Sequence, residues 1–184
     1  MEKYFALLRG VNVGGKNKVP MSLLKSIFEA EGFCNVSTYI NSGNVLFESD
    51  DADTEALQLK CEQIINAKFD FNIPVAVVSA ISLAEILKNA PDWWDVGKDS
   101  KHNAIFVISP KTVESVLDDI GETKPERELI ANYKQVIFWS APTLTYTRTR
   151  LSKIVSTSSY ASITIRNANT TKKLLQLASQ IKDV

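Results

Sequence analysis

The stretch LLRGVNVGGKNKVP, residues 7–20, decides the fold, because an apolar strand enters it and a helix signal leaves it. The segment between them holds three of the chain's seven glycines, two asparagines and three cationic side chains. Glycine allows positive φ and a close approach of the backbone to a ligand. The start of a helix offers unpaired N–H groups with a partial positive charge. This combination is typical of an anion-binding corner.

Apolar periodicity on either side of this stretch predicts the order β-α-β-β-α-β for the first half of the chain, as in ferredoxin-like domains. The predicted elements are a strand at 4–8, a helix through 23–28, strands at 36–40 and 45–47, a helix through 57–65 and a strand at 75–78. The two middle strands form a hairpin around Asn41-Ser42-Gly43-Asn44, whose composition suits a tight turn.

The second half repeats this plan and adds a closing helix. Its predicted elements are a strand at 104–108, a helix that begins at Ser109-Pro110 and runs through 113–120, strands at 128–131 and 136–139, a helix at 151–155, a strand at 163–165 and a closing helix at 174–181. The fold class is therefore α+β, with two ferredoxin-like (βαββαβ) halves, each an antiparallel sheet with helices on one face, plus a C-terminal helix.

Three segments follow from this pattern: a first domain at 1–80, a capped helix and Trp-containing linker at 81–100, and a second domain with the extra helix at 101–184. Ser82-Leu83-Ala84-Glu85 reads as a capping box at the start of the linker helix, with Ile81 and Ile86 as a hydrophobic staple. We expect Trp93-Trp94 to pack between the two domains, or alternatively to stack on a base.

Composition limits the function classes. Twenty-one basic and 21 acidic residues give no net charge, so the chain is not a general-purpose nucleic-acid binder, and polyanion binding must come from local patches. The two cysteines lack metal-ligand spacing and are predicted to be buried free thiols. No metal and no cofactor is predicted. The N-terminal residues lack a signal peptide's apolar core and no apolar run is long enough to span a membrane, so we expect a cytoplasmic protein.

The predicted topology brings two distant stretches together. In a split βαβ fold the end of the first strand lies beside the hairpin that joins the second and third strands, and the first helix begins at the same end. We call this predicted surface the glycine corner: it comprises Arg9, Asn12, Gly14, Gly15, Lys16, Lys18, Asn41, Ser42, Gly43 and Asn44. One interpretation is a site for a phosphate or carboxylate. The alternative is that the glycines only form turns and that Arg9 pairs with a nearby carboxylate.

A second basic cluster is predicted at the opposite pole of the second half. Its members are Arg148, Arg150, Ser152, Lys153, Arg166 and Asn167, with Lys101, His102, Asn169 and Thr170 close by. It is either a solvated basic face or a contact surface for backbone phosphates.

His102 is the only histidine, and no serine or cysteine motif surrounds it in the sequence, so a catalytic histidine is not expected.

The corner and hairpin motifs resemble those of a bacterial family, domain of unknown function 1697 (DUF1697). The resemblance rests on Leu7–Gly15, Lys18–Met21 and Thr38–Val45, and downstream on Ser152-Lys153 and on Thr164–Asn167 with Asn169-Thr170. It implies an α+β protein with ferredoxin-like halves and no established activity. The chain departs from the family pattern at Ala168, where a tryptophan is common, and at Arg148-Thr149-Arg150, where a glycine-containing turn is common.

These observations favour a protein that binds a phosphate-bearing small molecule or nucleic acid at the glycine corner. Two other hypotheses stay open at this stage. One is an enzyme that acts on a phosphorylated or carboxylated metabolite, with Asn12, Asn41 or Asn44 orienting the reacting atom. The other is a scaffold that holds a protein partner through Trp93-Trp94 and the second basic cluster.

Overall fold

The computed structural model describes residues 1–15 and 17–180 of the 184-residue chain. Two sequence predictions lie outside the described residues, namely Lys16 at the glycine corner and Ile181 in the closing helix. No helix in the described part is long and apolar enough to cross a membrane. The contact pattern divides the chain into two compact units, the first formed by residues 1–84 and the chain from Lys173 onward, the second by Glu85–Lys172.

The first unit contains a four-stranded antiparallel sheet with strand order β2-β3-β1-β4. Its elements are β1 (Glu2–Leu8), α1 (Met21–Ala30), β2 (Cys34–Thr38), β3 (Asn44–Ser49), α2 (Thr54–Asn66) and β4 (Val75–Ser79), followed directly by α3 (Ala80–Lys88). This is the ferredoxin-like order that the hydrophobic pattern predicts, and the fold class is confirmed for this half.

One face of this sheet forms the core with α1 and α2. Side chains alternate across a strand, so Tyr4, Ala6 and Leu8 point to the same face of β1 and are buried there. Phe28 of α1 and Cys61 of α2 belong to the same cluster. Because α1 packs on the face that Leu8 enters, the loop from β1 to α1 must turn sharply at the end of the strand, and this turn is the glycine corner.

The second unit repeats the arrangement with strand order β6-β7-β5-β8, again antiparallel throughout. Its elements are β5 (Ser100–Val107), α4 (Val113–Ile120), β6 (Leu129–Tyr133), β7 (Val136–Pro142) and β8 (Ile163–Asn167). The C-terminal helix α5 (Ala168–Gln180) begins in this unit, and from Lys173 onward it belongs to the first unit. The prediction of two sheets with a C-terminal helix is therefore confirmed.

The predicted α-helix at 151–155 is wrong. The chain instead forms three short 3-10 helices, Tyr146–Arg148, Leu151–Ser156 and Ser158–Ser162, and Val155 is 60% exposed rather than packed. Hydroxyl groups explain the difference, because they bond to nearby backbone groups and compete with α-helical hydrogen bonds. The hydroxyl of Thr149 donates to the carbonyl of Tyr146 (2.7 Å) and that of Ser152 donates to the carbonyl of Thr149 (2.9 Å).

Two predicted helix starts are also displaced. α3 begins at Ala80 without a break after β4, and the N–H of Ser82 donates to the hydroxyl of Ser79 (3.1 Å), so the predicted capping box lies inside the helix. Ile81 is 71% exposed and forms no staple. α4 begins at Val113, after Ser109-Pro110, because Thr112 caps it and accepts the N–H of Ser115 (3.3 Å).

Candidate functional site

Asn12 joins the two stretches of the glycine corner. Its side-chain Nδ2 donates to the main-chain carbonyl of Asn41 (2.8 Å) and to that of Val19 (2.9 Å), and its Oδ1 accepts the N–H of Val19 (2.8 Å). The backbone of Asn12 has φ +56°, which asparagine tolerates better than most residues. One side chain therefore closes the loop between β1 and α1 and attaches it to the β2–β3 hairpin.

Gly43 makes the closest approach between hairpin and strand. The N–H of Leu8 donates to the carbonyl of Gly43 (2.8 Å), and Gly43 has φ +72°. A Cβ at this position would lie 2.5 Å from Cγ2 of Val11 and 2.8 Å from Cβ of Leu8. Both the backbone conformation and the packing therefore require glycine here.

Asn44 stabilises the hairpin from inside. It is fully buried, and its Nδ2 donates to the carbonyl of Tyr39 (2.9 Å) and to the hydroxyl of Ser42 (3.0 Å). The N–H of Tyr39 in turn donates to the carbonyl of Asn44 (3.0 Å). The corner is thus stabilised by the side-chain hydrogen bonds of Asn12 and Asn44 and by the close packing of Gly43.

Among the described residues of the corner, the exposed ones are Gly14, Gly15, Lys18 and Asn41. Gly14 and Gly15 are exposed at φ +59° and +77°, with open space where a side chain would stand. Lys18 is exposed and Arg9 is half-buried. α1 begins two residues after Val19, with no acidic residue in its first turn and no side-chain cap. The surface left for a ligand is therefore glycine backbone flanked by positive charge.

The cations of the second basic cluster are not all exposed to solvent. Nε of Arg150 donates to the carbonyl of Ile120 (2.6 Å), and the N–H of Arg150 donates to Glu128 (2.7 Å). Arg166 is 6% exposed; its guanidinium donates to Thr164 (2.7 Å), and burial lowers its pKa to about 10. The hydroxyl of Ser152 donates to the loop carbonyls of Thr147 and Thr149, whereas Arg148, Arg150 and Lys153 remain exposed.

The second unit contains a polar cleft that we call the β5–α5 cleft. It has a volume of about 900 Å³ and lies where β5 begins and where β8 passes into α5. The lining residues are Asp95, Gly97, Lys98, Ser100, Lys101, His102, Asn103, Tyr146, Asn167, Ala168 and Asn169. Of the six residues predicted for the second basic cluster, Asn167 alone belongs to this lining.

His102 is held by two hydrogen bonds that define its tautomer. Its Nε2 lies 3.1 Å from the carbonyl of Gly97, which can only accept, so Nε2 carries the proton. In the neutral imidazole its Nδ1, 2.6 Å from the hydroxyl of Ser140, is then the acceptor. Sequence reasoning missed Ser140, because it lies 38 positions away and faces His102 only through the register of β5 with β7.

Trp94 packs within the second unit. Its Nε1 donates to the carbonyl of Asn103 (2.9 Å), and its ring meets that of Phe138 edge-on at 5.1 Å between centroids. Only 6% of Trp94 is exposed, so this ring is not available to stack on a base.

Among the described residues, no group of three or more His, Cys, Asp or Glu side chains could hold a metal ion.

The fold and the corner together define an α+β protein with two ferredoxin-like halves, the first carrying a glycine-rich polar corner. The chain belongs to the family described as "Protein of unknown function (DUF1697)", whose model matches residues 1–138. A solved structure, that of the conserved bacterial protein SP0830 from Streptococcus pneumoniae, is similar with a TM-score of 0.86 and 31% sequence identity, over 96% of this chain and 98% of that one. A search of the curated proteins found no match.

Proposed function

We propose that this chain is a cytoplasmic protein that binds a phosphate-bearing ligand, a nucleotide or a nucleic acid, at the glycine corner. The observation that supports the proposal most directly is the hydrogen bond from Asn12 to Asn41 (2.8 Å), since it attaches the loop between β1 and α1 to the hairpin. A preorganised surface loses little conformational entropy when a ligand binds. Gly14 and Gly15 offer exposed backbone on that surface.

Charge supports an anionic ligand. Lys18 is exposed and makes no ion pair within the described part of the chain, and the first turn of α1 is free of acidic residues. One charge-assisted hydrogen bond contributes roughly 1.5–3 kcal/mol and a helix terminus roughly 0.3–1 kcal/mol. Their sum corresponds to millimolar affinity at best, about 4 kcal/mol. The ligand must therefore add contacts beyond its phosphate, as a nucleotide or an oligonucleotide does.

Binding is favoured over catalysis at this corner because two of the three candidate catalytic amides, those of Asn12 and Asn44, are already engaged, which leaves the exposed Asn41 as the remaining candidate. Asn12 and Asn44 use their side chains to hold the loop and the hairpin. An enzyme at the corner would have to work without either of these two amides.

Glycine-selective ¹⁵N labelling tests the proposal in one spectrum, because the chain has only seven glycines. The protein is titrated with ATP and, separately, with a short single-stranded RNA. We expect saturable shifts at Gly14, Gly15 and Gly43, whereas Gly32 and Gly121, at the ends of α1 and α4, stay in place as references. Unmoved signals at all three corner glycines with both ligands would refute the proposal.

A matched pair of variants separates local binding from general charge effects. Lys18→Gln is expected to weaken binding roughly three- to tenfold, the effect of losing one partly screened charge contact. Lys68→Gln removes an equally exposed lysine of the same unit, outside the corner, and should leave the affinity unchanged. Equal losses in the two variants would mean that the ligand follows net charge rather than the corner.

A further inference from the structure

We propose that the β5–α5 cleft is a second ligand site, specific for a small phosphomonoester such as a nucleoside monophosphate or a sugar phosphate. This proposal does not depend on the glycine corner, because every residue that supports it belongs to the second unit. It rests on three features of the cleft: a gap in the sheet, a lining rich in hydrogen-bond donors, and a preoriented lysine.

The gap arises from the unequal lengths of two strands. β5 pairs with β7 from Ser100 onward, but its pairing with β8 begins only at Asn103, opposite Asn167. At Ala168 the chain leaves the sheet and enters α5. In the described part of the chain, residues 100–102 therefore have no strand neighbour on the β8 side. The cleft lies beside this segment, with residues 167–169 as its opposite wall.

The lining carries positive charge and hydrogen-bond donors. Lys98 and Lys101 contribute two ammonium groups. The side-chain oxygen of Asn167 already accepts the N–H of Thr170 (2.7 Å), so its amide contributes N–H donors to a ligand. Asp95 is the one acidic residue among the described lining residues, and it is ion-paired with Lys172. The local charge of the cleft is therefore positive although the whole chain carries none.

Lys101 is held in place by stacked aromatic rings. Its ammonium lies 4.4 Å from the centroid of the Tyr146 ring. The Tyr146 ring is itself stacked on the ring of Trp139, at 4.6 Å between centroids. The hydroxyl of Tyr146 accepts a hydrogen bond from Nδ2 of Asn103 (3.4 Å), which fixes the ring further. A lysine that is already ordered loses less side-chain entropy when it binds an anion.

Charge and size select the ligand class. A phosphomonoester carries a charge of about −1.5 to −2 at pH 7 and three strong acceptor oxygens, which matches two ammonium groups and the asparagine amides. The cleft, at about 900 Å³, is far larger than a phosphate ion and lies within the range of small-molecule sites. Its polar lining suits a sugar or a nucleoside as the remainder of the ligand.

Titration of the full chain with AMP, ribose 5-phosphate, inorganic phosphate and adenosine tests the proposal. Glycine-selective labelling assigns the site, because Gly97 lines the cleft whereas Gly14 and Gly15 lie at the corner. We expect the phosphomonoesters to shift the Gly97 signal, in Lys18→Gln as in the unsubstituted protein, and to bind more tightly than phosphate or adenosine. An unmoved Gly97 signal, or adenosine binding as tightly as AMP, would overturn the proposal.

Variants of exposed lysines provide the second measurement. Lys98→Gln and Lys101→Gln should each weaken AMP binding about three- to tenfold, as expected for one charge contact. Lys153→Gln removes an exposed lysine of the same unit that lies outside the lining and should bind AMP normally. An equal loss in Lys153→Gln would overturn the assignment to the cleft. Lys98 is exposed on the surface, so its variant stays informative even if Lys101→Gln disturbs the ring stack.

Discussion

The side-chain amide of Asn12 donates a hydrogen bond to the main-chain carbonyl of Asn41, 29 positions further along the chain, at 2.8 Å. The same side chain binds both main-chain groups of Val19. These three hydrogen bonds make the glycine loop and the β2–β3 hairpin a single structural element. The stability of the first unit and the geometry of the proposed ligand surface therefore depend on the same residue.

Asn12→Gly is expected to lower the free energy of unfolding by about 2–4 kcal/mol, since three hydrogen bonds contribute roughly 0.5–1.5 kcal/mol each. Glycine keeps the positive φ of this position, so the change reports hydrogen bonding rather than backbone strain. Urea unfolding measures the effect. Asn17→Gly is the matched control: Asn17 also has positive φ, but among the described residues its side chain donates to a single group, the carbonyl of Gly10 (3.1 Å), so we expect about 1 kcal/mol. Equal losses would contradict the special role of Asn12.

Gly43→Ala should destabilise the protein by about 2–4 kcal/mol, because the added methyl group meets Val11 and Leu8 and the residue must keep a positive φ. Gly14→Ala provides the comparison. Gly14 also has positive φ, but nothing lies within 4 Å of the position of its Cβ, so only the conformational cost of about 1–2 kcal/mol remains. Thermal or urea unfolding of both variants measures the difference. If Gly14→Ala proves the more damaging change, the packing at Gly43 is not as described.

Asp119 is expected to make the free energy of unfolding depend on pH in the acidic range. Hydrogen bonds from Ser159 and Ser158, with Lys111 alongside, lower the pKa of Asp119 from 3.8 to about 2. Because the pKa is lower in the folded state, the stabilisation is present above pH 3.8 and disappears as the pH falls through about 2. The unsubstituted protein should therefore be more stable than Asp119→Asn at pH 5, and the difference should shrink toward pH 2.

The neighbouring residue supplies the control for this measurement. Asp118 is exposed and belongs to the same helix, α4, so Asp118→Asn changes the net charge by the same amount. We expect the pH dependence of its stability to follow that of the unsubstituted protein. A stability difference for Asp119→Asn that stays constant between pH 5 and pH 2 would show that the carboxylate is not coupled to the two serines.

The two cysteines should differ in reactivity. Cys61 is fully buried in the core of the first unit, and burial raises the pKa of its thiol, so it is both shielded and protonated. Cys34 is only partly buried, whereas the sequence predicted both thiols to be buried. A thiol reagent should therefore modify one cysteine in the native protein and two after unfolding. Cys34→Ser should leave no reactive thiol in the native protein, and a reactive Cys61 in that variant would contradict the packing.

The sequence by itself determined the fold class and the order of strands. Residues 4–8 form a short, continuous apolar run ahead of a glycine-rich turn, and this local pattern predicts a buried strand without knowledge of its neighbours. The same reasoning placed the glycine corner beside the hairpin, because a split βαβ fold leaves one arrangement for them. The apolar spacing wrongly predicted an α-helix at residues 151–155. A 3-10 helix forms there instead, because nearby hydroxyl groups bond to the backbone and compete with α-helical hydrogen bonds.

Tertiary structure alone decided what the polar residues do. From the sequence, the side chains of Asn12 and Asn44 could either bind a ligand or stabilise the fold. Their hydrogen bonds to the main-chain carbonyls of Asn41 and Tyr39 show that they stabilise the fold. The β5–α5 cleft exists because β8 ends opposite Asn103, three residues short of the start of the antiparallel strand β5, and no local sequence pattern shows this mismatch. The physical reason is common to both cases. Periodicity records which face a residue takes, whereas hydrogen-bond partners are set by the register of segments that lie far apart in the chain.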